Sequence, residues 1–267
     1  MDVREPALPV DPRLPGEPTL AEVTVARMWL GRRGVVVWLP TRVLALRLGA
    51  RDGRTRGLPV HAIVLPMLGW FGWVWLESLE LPGRVAFPIV LHAVYQVVRW
   101  RQAQGREQVA EWWAGTSPPA LSTAAKLVGG WYLASTAVTF VGGAALCAAA
   151  FTTESSIAVA AHTLALAAGA GATALVLGRV LRAPVIAEDA ASHLVDGLLR
   201  AEDAYRFASP APYVLVVASL PVVDWLEPGP LEWFALAYLV VVLGLQLTGW
   251  LLVRRRYRWL PPGFYGR

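Results

Sequence analysis

One cysteine, Cys147, stands in a chain of 267 residues. A single cysteine excludes an intrachain disulfide framework and any CxxC metal or redox site. Set in an apolar stretch, it reads as a small buried hydrophobe. Charge is also scarce, at 16% of residues, against roughly 25% in soluble domains. There is no Walker A pattern, GxGxxG fingerprint, HExxH, GxSxG, kinase set or EF-hand loop. Phosphate, dinucleotide, zinc-protease and calcium chemistry therefore have no local signature. Residues 1–23 are acidic and Pro-rich and lack the basic and apolar regions of a signal peptide. The first apolar span is accordingly expected to direct insertion itself.

What is present is apolar surface. Hydrophobic residues make up 56% of the chain and the mean hydropathy is +0.48, an excess better suited to a bilayer than to one soluble core. A membrane helix needs about 20 apolar residues. Six stretches qualify and pair as hairpins: 58–79 with 84–100, 127–151 with 156–178, and 211–227 with 231–253. The turns inside the hairpins hold one base, Arg84, and six acids, Glu77, Glu80, Glu154, Asp224, Glu227 and Glu232. Of the chain's 24 bases and 19 acids, the remaining 23 and 13 lie elsewhere. The bases mark the cytoplasmic side. The expected fold is all-α: a polytopic helical membrane protein with six spans, both ends inside, and a cytoplasmic amphipathic helix. Trp70, Trp73, Trp75, Trp100, Trp131, Trp225, Trp233, Trp250 and Trp259 lie near span ends, the layer tryptophan favours. Because Pro59, Pro66 and Pro88 weaken the first pair, a re-entrant hairpin there, with four true spans, is the alternative.

Between and beyond the spans, residues 1–23 read as a disordered tail whose prolines recur every third residue, the period of polyproline II. Residues 24–57 interleave Arg27, Arg32, Arg33, Arg42 and Arg47 with Trp29, Trp38 and aliphatics in runs too short to span, and read as a basic segment on the membrane surface. Ser117 and Pro118 form an N-cap and first helical position, closing a loop over 101–126. Small residues in the third and fourth spans, such as Ala167 with Gly171 and Ala174 with Gly178, have the spacing that lets membrane helices approach closely. Residues 254–267 form a basic cytoplasmic tail.

Residues 187–207 follow a helical period, with Leu194, Val195, Leu198, Leu199 and Tyr205 on the apolar face. That face is the expected docking surface for a cytoplasmic protein. Gly197 weakens such a helix by about 1 kcal/mol relative to Ala, which makes it dependent on tertiary contacts. Asp189, His193 and Asp196 share one face, but a metal site needs further converging ligands, and Asp196 has Arg200 four residues on. They read as a solvated acidic face.

Polar groups inside spans are functional candidates by default. His92 and Gln96 share a face of the second span, His162 lies early in the fourth, and Gln246 lies in the sixth. These four form the candidate intramembrane polar site, with interhelical hydrogen bonding as the plainer explanation. No catalytic residue, cofactor or metal is expected. The expected partners are the lipid bilayer, a cytoplasmic protein at 187–207 and a second copy of the chain; nucleic acid is not expected, because the bases flank spans and form no separate basic domain.

Three functions compete. A non-catalytic membrane scaffold or regulator in the plasma membrane is favoured by the amphipathic helix. A permease-like subunit working with a separate ATPase follows from a layout similar to that of small ABC-2 export permeases, an analogy of layout that carries over no residues. An intramembrane enzyme would rest on His92 and His162 alone. The run Arg182-Ala183-Pro184 through Ala187-Glu188-Asp189, then Asp196 and Arg200, resembles stretches in uncharacterised multi-pass membrane proteins of high-GC actinobacteria. The use of arginine over lysine, 23 to one, is similar. The resemblance covers mainly the C-terminal half and implies no activity.

Overall fold

A computed structural model describes residues 17–52, 86–114, 116–117, 121–153, 157–220, 229–256 and 258–260. These residues are mostly helical. Helix α1, Leu20–Gly31, starts at a capping box: the Thr19 backbone N–H donates to Glu22 Oε2 at 2.8 Å, and the Glu22 N–H donates to Thr19 Oγ1 at 3.3 Å. The two side chains satisfy backbone donors that a helix start leaves open. Residues 20–23, expected to belong to a tail, are therefore helical.

Gly34, at φ 80°, turns the chain toward α2, Arg42–Asp52. The basic surface segment is thus, in its described part, two packed helices. They cross closely at Gly49, where a β-carbon would stand 2.4 Å from Glu22 Cβ. The expected span 58–79 lies outside the described residues.

Helix α3, Ala86–Ala114, corrects the reading of 101–126 as a loop. It runs without a break past Arg99 and Arg101, through a polar stretch rich in the helix formers Arg, Gln, Glu and Ala. Its far end packs on α2, with Ala110 against Val43 and Leu46. A two-residue bridge follows. Strand β1, Thr116–Ser117, pairs antiparallel with β2, Val185–Ile186. Ser117 is therefore extended, and the expected first helical position, Pro118, lies outside the described residues. Helix α4, Leu121–Val128, ends at Gly129, whose φ of 93° few other residues adopt.

Three described helices are long and apolar enough to cross a membrane: α5, Gly130–Thr153; α6, Ile157–Arg182; and α9, Pro230–Arg256. They match the third, fourth and sixth expected spans to within a few residues. Their outer faces carry apolar side chains in the open, with Val141, Leu164 and Phe234 exposed by 71%, 70% and 69%. Such a surface suits lipid and not water. The six-span count is not reproduced among the described residues. The second expected span forms the first half of α3, whose charged second half follows directly.

The fifth expected span, 211–227, is not one helix over its described part. Ala211–Tyr213 is a 3-10 turn, α8 spans only Val214–Ala218, and the helix stops at Ser219. Prolines explain this. Pro210 and Pro212 open the segment, and Leu220 precedes Pro221, which disfavours the helical conformation for the residue before it. Tyr213, Val214, Val216, Val217 and Leu220 are buried in the membrane-level core between α3, α5, α6 and α9. Non-helical backbone at that depth is tolerated where protein surrounds it.

Helix α7, Ala190–Phe207, is the expected amphipathic helix. Asp189 caps it, accepting from Ser192 N at 2.6 Å. Its apolar face packs on α1 and α2, while Tyr132 of α5 donates to the carbonyl of Ala208 at its other end, at 2.6 Å.

Candidate functional site

Two polar centres stand out. The first joins α2, α3, α6 and α7 at the end of the bundle that carries α1 and α7. Asp196 is 2% exposed, Arg47 3%, Arg200 6% and Glu107 8%. One Asp196 oxygen, Oδ1, meets Arg47 Nη2 at 2.7 Å, and the other, Oδ2, accepts from Arg200 Nε at 2.7 Å. Arg47 also donates to the carbonyl of Ile186 at 2.9 Å and lies 3.6 Å from Glu107. Arg200 donates through Nη1 to Ala183 at 2.8 Å and Val180 at 3.2 Å, and through Nη2 to Pro184 at 2.7 Å.

The Arg200 fork therefore closes the carbonyl end of α6, where a cation also suits the helix dipole. Two bases meet two acids, so the centre is charge-balanced, and the Arg200 guanidinium and both Arg47 terminal nitrogens face acceptors. Such a centre holds elements in register. Asp196, expected on a solvated face, is at its heart because periodicity showed the side of α7 it occupies but not the arginine arriving from α2.

The second centre lies at membrane level. Tyr213 donates to Gln96 Oε1 at 2.5 Å, and its ring meets His92 edge-on at a centroid distance of 5.8 Å. A cavity of about 200 Å³ opens beside His92, Gln96 and Arg99. Gln246 donates to Thr139 Oγ1 at 3.4 Å, at the limit of a hydrogen bond. Thr139 sits in a π-helical segment of α5, Val138–Gly142, and its carbonyl accepts from Tyr238 at 2.8 Å. π-Segments leave backbone carbonyls without their usual partner, and Tyr238 fills that role here. A second cavity, of about 350 Å³, lies beside Gln246, Ser135 and Trp250.

The four expected polar residues thus divide. His92 and Gln96 gather around Tyr213, and Gln246 joins Thr139. His162 stands apart on α6, its Nδ1 at 2.7 Å from the Ala158 carbonyl. Tyr213, Thr139 and Tyr238 escaped the sequence reading. A phenol inside an apolar run was the only signal for two of them.

The docking face of α7 needs correction. Val195, Leu198 and Leu199 are fully buried against Ala26, Leu30, Leu44, Ala45 and Leu48 of α1 and α2. Of the five residues, Leu194 is exposed and Tyr205 half-buried. The chain fills its own apolar face because two helices absent from the sequence reading lie across it. Asp189 caps its helix, His193 is exposed and Asp196 is paired, so they do not converge. Among the described residues, no group of three His, Cys, Asp or Glu side chains is placed to hold a metal ion. No protein-family profile, curated protein or solved structure matches this chain.

Proposed function

We propose that this chain is a non-catalytic membrane scaffold of the plasma membrane, multi-pass, with both ends in the cytoplasm. The buried Arg47–Asp196–Arg200 centre carries this reading. It fastens α1, α2 and α7 onto the base of α6, so that a helical platform sits rigidly on the membrane helices. At membrane level, Tyr213 with Gln96 and Tyr238 with the Thr139 carbonyl tie separate elements together, the kind of bond a scaffold uses. What the platform offers a protein partner at the start of α7 is Glu188, Asp189, His193 and Leu194, all exposed. Orientation rests on Arg254, Arg255, Arg256 and Arg258 at the end of α9.

Crosslinking of intact membranes, followed by purification of the full chain, tests the reading. Stoichiometric recovery of an ATPase would overturn it. Orientation is tested by thiol labelling in a Cys147→Ala background. Thr153→Cys should react from outside, and His193→Cys only after permeabilisation.

A permease-like subunit is the second reading, on a different observation. The chain breaks its helix at 211–220 beside two cavities that Gln96 and Gln246 border. Interrupted helices at membrane depth are a frequent substrate-site design in transporters. Recovery of the ATPase would favour it.

A further inference from the structure

The end of α9 forms one wall of a groove of about 900 Å³, and α1 and α7 form the others. Six arginines line it: Arg32 and Arg33 from the end of α1, Arg206 from α7, and Arg254, Arg255 and Arg258 from the end of α9 and beyond. The lining contains one carboxylate, Glu202, which pairs with Arg33. Among the described residues, the other five arginines have no carboxylate partner. Orientation alone does not require this convergence, because bases that set topology need only lie on one side of the bilayer.

The guanidinium groups of Arg254 and Arg258, and that of Arg33 beside its Glu202 partner, lie over aromatic rings. Arg33 lies over Trp29 at 3.6 Å, Arg254 over Trp250 at 5.0 Å and Arg258 over Trp259 at 5.6 Å. A ring contact of this kind engages the π-face of the aromatic and leaves guanidinium N–H groups available for an anion. Burial lowers the Arg33 pKa below its ordinary value; Glu202 opposes that shift and the neighbouring Arg32 charge adds to it. An anion in the groove would relieve this crowding of like charge.

We propose that the groove binds an anionic phospholipid headgroup carrying two phosphates. Arginine forks match phosphate oxygens in pairs, and the net charge of the lining exceeds what one phosphate balances. A lipid is the source because the groove continues onto exposed apolar surface of α9, at Leu247, Trp250 and Leu251. Acyl chains would lie there, and a soluble phosphate has no use for such surface. The proposal rests on α9 lying in a bilayer and is independent of whether the chain serves as a scaffold or a permease.

Native mass spectrometry of the full chain in neutral detergent tests it, with cardiolipin, phosphatidylcholine and inorganic pyrophosphate as separate probes. Cardiolipin should be retained in preference to phosphatidylcholine. The triple variant Arg32→Gln, Arg255→Gln, Arg258→Gln should bind it about a hundredfold more weakly, at roughly fivefold per arginine. Arg255→Gln alone, at an exposed side chain with no described partner, should lose about fivefold without touching the fold. The double variant Arg179→Gln, Arg182→Gln, exposed at the end of α6 outside the groove, should bind normally. Equal cardiolipin binding by the wild type and both groove variants would overturn the site. Pyrophosphate binding as tightly as cardiolipin would overturn its assignment to a lipid.

Discussion

The ring of Tyr213 rests directly on the backbone of Gly169. A β-carbon on Gly169 would lie 2.3 Å from ring carbons Cδ1 and Cε1. This contact seats the interrupted segment 211–220 against α6 and aims the Tyr213 hydroxyl at Gln96.

Gly169→Ala should therefore destabilise the chain by about 1–3 kcal/mol, the range for overpacking a filled interior. Gly171→Ala, where a β-carbon meets nothing within 4 Å, should be neutral or mildly stabilising, since alanine favours helix by about 1 kcal/mol. Thermal unfolding in detergent compares the two. Equal melting temperatures would contradict the contact.

Asp196→Asn should leave Arg47 and Arg200 buried without their shared counter-charge. Removing one partner of a buried pair costs about 3–5 kcal/mol. The loss should show as faster hydrogen exchange and proteolysis in α2 and in the linker between α6 and α7, with α9 unaffected. Uniform exchange across the chain would argue that the centre does not hold the platform.

Leu198→Ser and Leu199→Ser should each lower protein level and stability, by roughly 2–5 kcal/mol or more, because each vacates a filled core position and buries a hydroxyl. Leu194→Ser, at an exposed position, should leave both unchanged. If all three variants were as stable as the wild type, the face would not be packed from within.

Tyr205 supplies a test by pH. Burial raises its pKa from an ordinary value of 10.0 to about 12, and its hydroxyl has no hydrogen-bond partner among the described residues. The folded state holds this proton more tightly than the unfolded chain. Its contribution is thus complete below pH 10 and is lost as pH rises toward 12. Tyr205→Phe should remove that part of the alkaline decline and match or exceed the wild type at neutral pH. Parallel denaturation curves at pH 8 and pH 11 read the difference.

The sequence shows some of these elements clearly because their physics is local. Spans α6 and α9 are uninterrupted apolar runs, and their ends fall close to the expected residues. The extent of α7 is legible from its helical period, though the Asp189 cap starts it at Ala190, three residues past the expected 187. Other boundaries depend on what lies across from them. Arg99 and Arg101 mark where apolar sequence stops, yet α3 continues, because a helix persists wherever its residues favour it and α2 covers it. Proline spacing at 210, 212 and 221 outweighs the apolar composition of 211–220. The Thr19–Glu22 capping box was present in the sequence but hidden in a stretch read as tail. Periodicity likewise shows that the apolar face of α7 needs cover, without showing whether the cover comes from a partner or from α1 and α2. Of the candidate polar residues, Gln96 meets Tyr213 only through the fold, a pairing 117 positions apart.

The Arg47 contact with Ile186 also joins positions far apart, 139 residues along the chain. Translation proceeds at roughly 5–20 residues per second, so Arg47 leaves the ribosome about 7 to 28 seconds before its acceptor. Through that interval Arg47 lacks Asp196, and α1 and α2 lack the α7 face that covers them. The nascent platform is then most exposed to proteases and chaperones, and variants of Arg47 should act through biosynthetic yield before any effect on the finished protein is seen.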